Sequence, residues 1–394
     1  MFSPFALPYA YWQEYLEFFD EVRPLARVGW AASADPSWTR ADGPGVRFIS
    51  LPEYRGFWEI LRRLPQTWLI AGRALAHGDY FLIRGGNVSA LLWSWLKLRR
   101  IPYAREVVGH EGEAVALVPD VQMFGLAGTL SRISEWLGRK ESQGACCANY
   151  VARFLGARYP TRSGAPMFFF SDVQLRNGDL RGPRAAESFS AAPLKLVSVG
   201  RLNPEKGYAV LLDALHHLDA AGKRDWHLDI IGPGPQLETL RTRAAQYEQG
   251  DRVTFHGMVK RGPEVFSKLD SADLFVLPSL GGEGMPRAAI EALARGLPGI
   301  ATRTGGMPDL LDEACLARPG DALEFAELIR GYLGNRERLA AESQRSFQRA
   351  MQFHPDELRR QKHAFWSCLR DHTDRWRRSM RKSPFMRPRQ AACA

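Results

Sequence analysis

The chain has 394 residues, with 45% hydrophobic and 24% charged side chains, which excludes a disordered or fibrous protein and leaves room for two globular domains. Its formal net charge is +10 at pH 7 and its sequence pI is about 9.5, a balance that favours anionic partners such as nucleotide diphosphates, acidic polysaccharide, anionic lipid head groups or nucleic acid. The five cysteines show no zinc or CxxC spacing, the adjacent Cys146 and Cys147 included, and read as reduced thiols of a cytosolic protein. The start lacks a basic n-region and a continuous apolar core, so no signal peptide is expected. No stretch reaches the roughly 18 apolar residues of a spanning helix.

In chain order, the aromatic-rich stretch 9–19 reads as a helix, followed by strand candidates at 21–28 and 47–52. Residues 79–84 form a strand pattern ending in the turn Gly85-Gly86-Asn87, and a helix is expected over 88–99. Residues 103–110 read as a strand running into a loop, 145–155 as a helix and 167–170 as a strand. Phe168, Phe169 and Phe170 read as core, and Arg105 and Glu106 as structural ions on a strand. Strands alternating with helices predict a parallel sheet covered on both faces. Loops after such strands are where ligands sit, which singles out Gly85, Gly86, Asn87, His110 and Glu111. His110 can serve as a general base, as a sugar-binding group or simply as a loop histidine.

The stretch 177–193 is rich in Gly, Pro, Arg and Ala without apolar periodicity, and reads as an inter-domain linker. A cleaner α/β alternation follows, with strands at 194–199, 226–231, 252–255, 273–279 and 298–302. Helices are expected over 208–218, from 235 to about 249, over 263–269, from about 285 to 295, and over 321–333 and 336–351, in a doubly wound domain of about six strands. Each strand is followed by a glycine-bearing loop: Gly200-Arg201, Gly232-Pro233-Gly234, His256-Gly257, Gly282-Glu283-Gly284 and Thr304-Gly305-Gly306. In a parallel sheet these loops converge on one edge. Arg201 and Lys206, at a turn into a helix, can both point at one diphosphate, Arg as a planar fork and Lys as a point charge. Glu283 precedes a helix starting near Met285, and Glu291 falls in its second turn. Carboxylates at these positions suit sugar and ribose hydroxyls, since each accepts two hydrogen bonds at once. The glycines admit backbone N–H groups to a ligand at a helix N-terminus, a seat for phosphate.

A last helix is expected over 357–370, and 375–389 is basic with interleaved aromatics, suited to an anionic membrane surface or to solvent as a disordered tail. No motif supports nucleic-acid binding.

These residues resemble the family 4 glycosyltransferases of group 1 type. The resemblance rests on Val199-Gly200-Arg201-Leu202 with Glu205-Lys206-Gly207, Gly232-Pro233-Gly234, Phe255-His256-Gly257, Leu277-Pro278-Ser279, the Glu283 to Glu291 run and Thr304-Gly305-Gly306-Met307-Pro308-Asp309. It covers about 190 to 335. It implies the GT-B fold, two Rossmann-like doubly wound domains facing across a cleft: an acceptor-side domain over 1–180 with an atypical start, a nucleotide-sugar domain over 190–355, and a terminal helix with a basic tail over 356–394. The strand and glycine-rich loop that usually begin the family are not recognisable after Met1-Phe2-Ser3-Pro4.

The resemblance further implies a retaining transferase that uses a nucleotide-diphosphate sugar, acts on a glycan or lipid-linked hydroxyl acceptor and serves cell-surface polysaccharide biosynthesis. Arg201 and Lys206 would bind the diphosphate, Glu291 the ribose and Glu283 the transferred sugar, with Gly200, Gly232, Gly257, Gly284, Met285, Pro286, Gly305 and Gly306 around the donor. His110 falls where similar enzymes place a histidine or aspartate. The departing diphosphate can take the acceptor proton, so no protein nucleophile is required. The chain contains no Asp-x-Asp, and no metal or other cofactor is expected. Other classes compatible with these residues are a sugar-nucleotide epimerase and a non-catalytic partner subunit. The expected setting is cytoplasmic, with peripheral contact at the inner face of the plasma membrane through the basic tail.

Overall fold

The computed structural model describes residues 1–3, 7–30, 33, 38–54, 56–116, 125, 127–190, 192–260 and 262–382. Its backbone contacts form two compact units: 1–150, 155–169 and the chain from Arg360 onward make the first, and 151–154 with 170–359 the second.

The first unit opens with four short strands, β1 (Phe2–Ser3), β2 (Leu25–Val28), β3 (Thr39–Arg40) and β4 (Ile49–Pro52); β1 pairs antiparallel with β3, and β2 parallel with β4. Its main sheet is parallel, in the order β5 (Leu82–Arg84), β6 (Ala104–Val107), β7 (Cys147–Tyr150) and β8 (Met167–Phe168). Every residue of β6 and β7 is buried, as expected of central strands covered on both faces. Arg105 and Glu106 are therefore buried charges, and each has an opposite charge beside it. Arg105 pairs with Glu111 and Glu141, and Glu106 lies 3.5 Å from Arg84.

Three expectations for this unit are corrected. Residues 145–155 do not form one helix, because Cys147–Tyr150 is a strand and the helix is Arg153–Arg158. The small residues there suit a helix locally, but pairing with β6 on one side and β8 on the other satisfies a fully buried backbone. Phe169 is 45% exposed although Phe170 is buried, since successive residues of an extended chain point opposite ways. The basic stretch from Arg375 is no loose tail as far as Lys382, because the terminal helix runs over Pro355–Lys382. Arg377 donates to Asp79 at 2.6 Å, the Tyr80 hydroxyl donates to Asp374 at 3.1 Å, and Trp366 packs 4.9 Å from Tyr15. The rest of the expected tail, 383–389, lies outside the described residues.

Two long helices, Gly56–Ala74 and Ala127–Gly144, were not legible. Pro65 interrupts the first and glycines punctuate the second, and both residue types ordinarily mark breaks. Among the described residues no helix is long and apolar enough to cross a membrane.

The second unit holds β9 (Leu194–Val199), β10 (Trp226–Ile231), β11 (Val253–Gly257), β12 (Leu274–Leu277), β13 (Gly299–Thr302) and β14 (Leu316–Ala317). They form one parallel sheet in the order β11-β10-β9-β12-β13-β14. The chain winds outward one way from β9 through β10 and β11, then restarts at β12 and winds the other way. The loops after β9 and β12 thus flank the switch point, where doubly wound sheets open a crevice.

The division between the units falls earlier than the linker expected over 177–193. From Phe170 the chain belongs to the second unit. Phe170, Val173, Leu175 and Phe189 are buried there without a regular period, and single polar contacts fix the chain between them. Arg181 N–H donates to Ala294 O, Ser190 N–H to Asp273, and the Arg184 guanidinium to the carbonyls of Leu269 (3.0 Å), Ala272 (2.7 Å) and Arg295 (3.1 Å). Arg184→Ala strips a charged donor from three carbonyls, and should cost the second unit about 2–3 kcal/mol in urea unfolding. A loss below about 0.5 kcal/mol, the range of an ordinary surface substitution, would show that this anchor is not used.

Candidate active site

The site of the second unit depends on glycines that let strand-exit loops touch. Gly207 has φ +69°, and a Cβ there would fall 2.0 Å from the Pro278 carbonyl oxygen. Only glycine permits that approach. It lays the loop after β9 on the exit of β12, where Leu280 N–H donates to Glu205 O at 2.8 Å. Lys206 Nζ consequently lies 2.5 Å from Glu283 Oε1. The Ser279 hydroxyl donates to the same oxygen at 2.6 Å, and the Thr302 hydroxyl, from the end of β13, donates to Ser279 O. Glu283 is 7% exposed, so this carboxylate is held in one orientation by a cation and a hydroxyl.

A second close approach comes from the loop after β13. Gly305 has φ +56°, and a Cβ there would fall 2.4 Å from Glu283 O. A Cβ on Gly306 would fall 2.7 Å from Gly284 O and 2.9 Å from Met285 Cε, and Gly306 N–H donates to Gly284 O at 2.6 Å. On the other flank Gly232, φ +141°, lies so near Gly200 that a Cβ would sit 1.9 Å from Gly200 O. Gly232 N–H donates to Gly257 O at 2.8 Å, and Gly257 itself takes φ +64°. His256 Nε2 lies 2.5 Å from Asp229 Oδ1. Beneath Gly200 the Tyr208 ring is buried, and burial pushes its phenol well above the usual value.

The structure thus gathers Gly200, Lys206, Gly232, Glu283, Gly284, Met285, Gly305 and Gly306 into one set of touching loops, with Gly257 joined through Gly232. Arg201 is exposed on the same loop as Lys206 and pairs with no acid among the described residues. Pro286 is the N-cap of the helix Arg287–Ala294, and no side chain caps its first turn. The open N–H groups of that turn are a local source of positive potential. Glu291 is half-buried in the second turn of the same helix. Ser279 and Thr302 carry no functional mark in the sequence, because hydroxyls at strand ends have no distinctive spacing. Among the described residues no group of three or more His, Cys, Asp or Glu is placed to hold a metal ion.

In the first unit His110 follows β6 and precedes the helix Glu111–Ala116. Its Nδ1 accepts from Glu113 N–H at 2.9 Å, so the ring caps the helix and carries its proton on Nε2. Nε2 is buried without a hydrogen-bond partner among the described residues. The ring can therefore offer a donor, while the lone pair a base would need is already engaged. The Gly85-Gly86 turn lies alongside: Gly86 has φ +101°, and a Cβ on Gly85 would fall 3.1 Å from Glu111 Oε1.

Comparison with known proteins agrees with this architecture. Residues 193–335 match the family described as "Glycosyl transferases group 1". The putative colanic acid biosynthesis glycosyltransferase WcaL of Escherichia coli (strain K12) is 34% identical over 239 residues, which cover 58% of this chain and 52% of that protein. The match therefore spans about half the length of that relative. Protein CapJ of Staphylococcus aureus is 25% identical over 326 residues, 81% of this chain and 78% of its own. Among solved structures, Anabaena Alr3699/HepE in complex with UDP and glucose superposes with a TM-score of 0.62 at 16% identity, covering 82% of this chain and 86% of that one. The chain has the GT-B fold, with two Rossmann-like units built on parallel sheets. Residues 193–335 of its second unit are similar to the group 1 glycosyltransferases.

Burial, and secondarily the Arg158 charge, hold His110 below its ordinary value of 6.5 against the opposing pull of Glu113 and Glu135. A proton then binds the unfolded chain first, so the first unit loses stability as pH falls from about 6.5 down to the folded midpoint. An NMR titration of the His110 ring should give a midpoint below 6.5, the value expected of a free imidazole; a midpoint at or above it contradicts a buried neutral ring.

Proposed function

We propose that the chain is a retaining glycosyltransferase that moves a sugar from a nucleotide-diphosphate sugar to a hydroxyl of a glycan or lipid-linked acceptor in cell-surface polysaccharide biosynthesis. One observation carries the reading: Lys206 and Glu283, 77 positions apart in the chain, are paired at 2.5 Å beside the sheet's switch point. The cation suits a diphosphate and the carboxylate suits sugar hydroxyls, so one contact prepares both halves of an activated sugar. The names of relatives support the setting, since WcaL is described as acting in colanic acid biosynthesis and AmsK of Erwinia amylovora in amylovoran biosynthesis. Solved neighbours described as complexes with UDP and with UDP-glucose support the donor class.

In this reading the acceptor oxygen bonds to the anomeric carbon on the face the diphosphate leaves. The bond from that carbon to the phosphate oxygen breaks, and the acceptor proton passes to the departing diphosphate. Arg201, Lys206 and the open first turn of Arg287–Ala294 stabilise the growing negative charge. Glu283 orients the sugar, Glu291 holds the ribose, and Gly200, Gly232, Gly257, Gly284, Met285, Pro286, Gly305 and Gly306 shape the donor seat. His110 donates from Nε2 to a substrate oxygen. No metal takes part. The protein is cytoplasmic and touches the inner face of an anionic membrane. Support for that contact comes from the Gly56–Ala74 helix, which exposes Trp58, Leu61, Leu64 and Leu69 beside Arg62 and Arg73, an arrangement suited to an interface.

A panel of UDP-, GDP-, ADP- and dTDP-sugars should include one that raises the melting temperature by mass action. With that donor, Lys206→Ala or Glu283→Ala should lower turnover by about 10²–10³-fold, while the product of the parent chain keeps the donor's anomeric configuration by NMR. Full turnover in either variant sinks the assignment of this site. Binding without any turnover by the parent chain would instead favour a non-catalytic partner subunit. Turnover should also be unchanged in excess EDTA, and its loss there would overturn metal independence.

A further inference from the structure

The first unit holds a cavity of about 520 Å³ that none of these roles uses. Four cations, Lys97, Arg100, Lys140 and Arg162, share its wall with the indoles of Trp93 and Trp376, and no Asp or Glu lines it. Its place in the fold is set by two helix ends. Lys97 and Arg100 stand where the helix Asn87–Leu98 ends and the chain turns into β6, and Lys140 stands just before the last turn of the helix Ala127–Gly144 that leads to β7. The cavity therefore lies at the amino-terminal edge of the first unit's sheet, whereas the Gly85-Gly86 turn and His110 follow the carboxyl ends of its strands.

A cation in the last turn of a helix is favoured by the helix dipole alone, which accounts for Lys97 but not for the other three. Arg100 is the telling residue. It occupies the left-handed position that closes its helix, with φ +54°; Arg100 N–H donates to Lys97 O and Ile101 N–H to Leu96 O. Glycine is the residue that adopts this conformation without strain. Here an arginine lining the cavity holds a backbone conformation that disfavours a side chain. Among the described residues neither Arg100 nor Arg162 pairs with an acid, and the sequence over 383–394 contains no Asp or Glu that could neutralise them. His372, also in the wall, is held below its ordinary value by burial and by Arg375 and Arg162, against the opposing pull of Asp371. Lys97 Nζ sits 4.9 Å over the Trp93 ring, so cation and ring face make one surface.

We propose that this cavity is a second anion site, separate from the loops of the second unit, that takes a phosphate or pyrophosphate group carried on an apolar or sugar body. Guanidinium forks match phosphate oxygens, the indoles can flank the attached body, and the volume is that of a small-ligand pocket. Two sources share this chemistry, a free phosphorylated compound and a phospholipid head group.

The test uses the full chain carrying Arg201→Ala and Lys206→Ala, so that the second unit does not compete for the probe. Inorganic pyrophosphate is titrated by calorimetry. In parallel, flotation is measured with phosphatidylcholine vesicles with and without phosphatidylglycerol. Into this background go Arg100→Gly, which keeps the left-handed turn and removes the charge, and the pair Lys97→Gln with Lys140→Gln. Binding of at least one probe should fall by about tenfold or more in each variant, as loss of a charge-assisted contact predicts. The melting temperature of Arg100→Gly should stay level or rise, since a strained residue is replaced by the one that fits. A free phosphate source reads as pyrophosphate binding lost in the variants without flotation. A lipid source reads as flotation on the anionic vesicles, lost in the same variants. The proposal is overturned if the background chain binds neither probe, or if both variants bind as well as the background chain.

Discussion

The contact between Lys206 and Glu283 is the constraint on which the second unit's site depends. It joins residues 77 apart in sequence, and it requires two loops to meet with almost no space between their backbones. A single Cβ at Gly207 would collide with Pro278 O, and one at Gly305 with Glu283 O. The glycines therefore act through geometry. They remove the atom that would hold the loops apart, and the carboxylate then reaches both the lysine and the Ser279 hydroxyl. Ion pairs at an exposed surface contribute little. This one is 8% exposed on the carboxylate side and 18% on the lysine side, so its partners are desolvated enough to be fixed in place yet near enough to the edge to meet a ligand.

The first unit solves a different problem with the same chemistry. Its central strand β6 carries Arg105 and Glu106 in a fully buried position. A lone buried charge is costly, and the unit answers with Glu111 and Glu141 for the first and Arg84 for the second. The Ser89 hydroxyl, which donates to Gly86 O, is also 3.3 Å from Glu141. Buried ions, the Gly85-Gly86 turn and the helix that His110 caps thus belong to one connected network at the carboxyl ends of β5 and β6. The terminal helix completes the unit by burying Trp366 against Tyr15 and Phe18 from the start of the chain and Phe365 against Phe168.

Legibility differed between the two halves for a physical reason. In the second unit the apolar runs are strands, β12 and β13 buried along their whole length, and a glycine-bearing loop follows each of β9 to β13, so apolar runs and turn chemistry agree. The strand exits, the doubly wound pattern and the residues Arg201, Lys206, Glu283 and Glu291 could all be picked out from that agreement. In the first unit the local signals conflict with the outcome. Cys147–Tyr150 looks helical by its small residues but is claimed as a strand by its neighbours. Pro65 stands inside a 19-residue helix. Arg184 holds the chain through carbonyls scattered over 27 positions, Leu269 to Arg295, and leaves no pattern at all.

The sequence by itself determined the α/β class, the family likeness of 190–335 and the identity of the charged residues at the strand exits, because glycine, proline and charge act locally and leave their mark in order along the chain. Tertiary structure alone decided which of those residues touch. It placed Ser279 and Thr302 behind Glu283, turned His110 into a helix cap whose Nε2 has no hydrogen-bond partner among the described residues, and set four cations around a cavity on the far edge of the first sheet. Some of these contacts join near neighbours and others residues far apart in the chain, but the energy of each depends on distance and burial, neither of which a linear pattern contains.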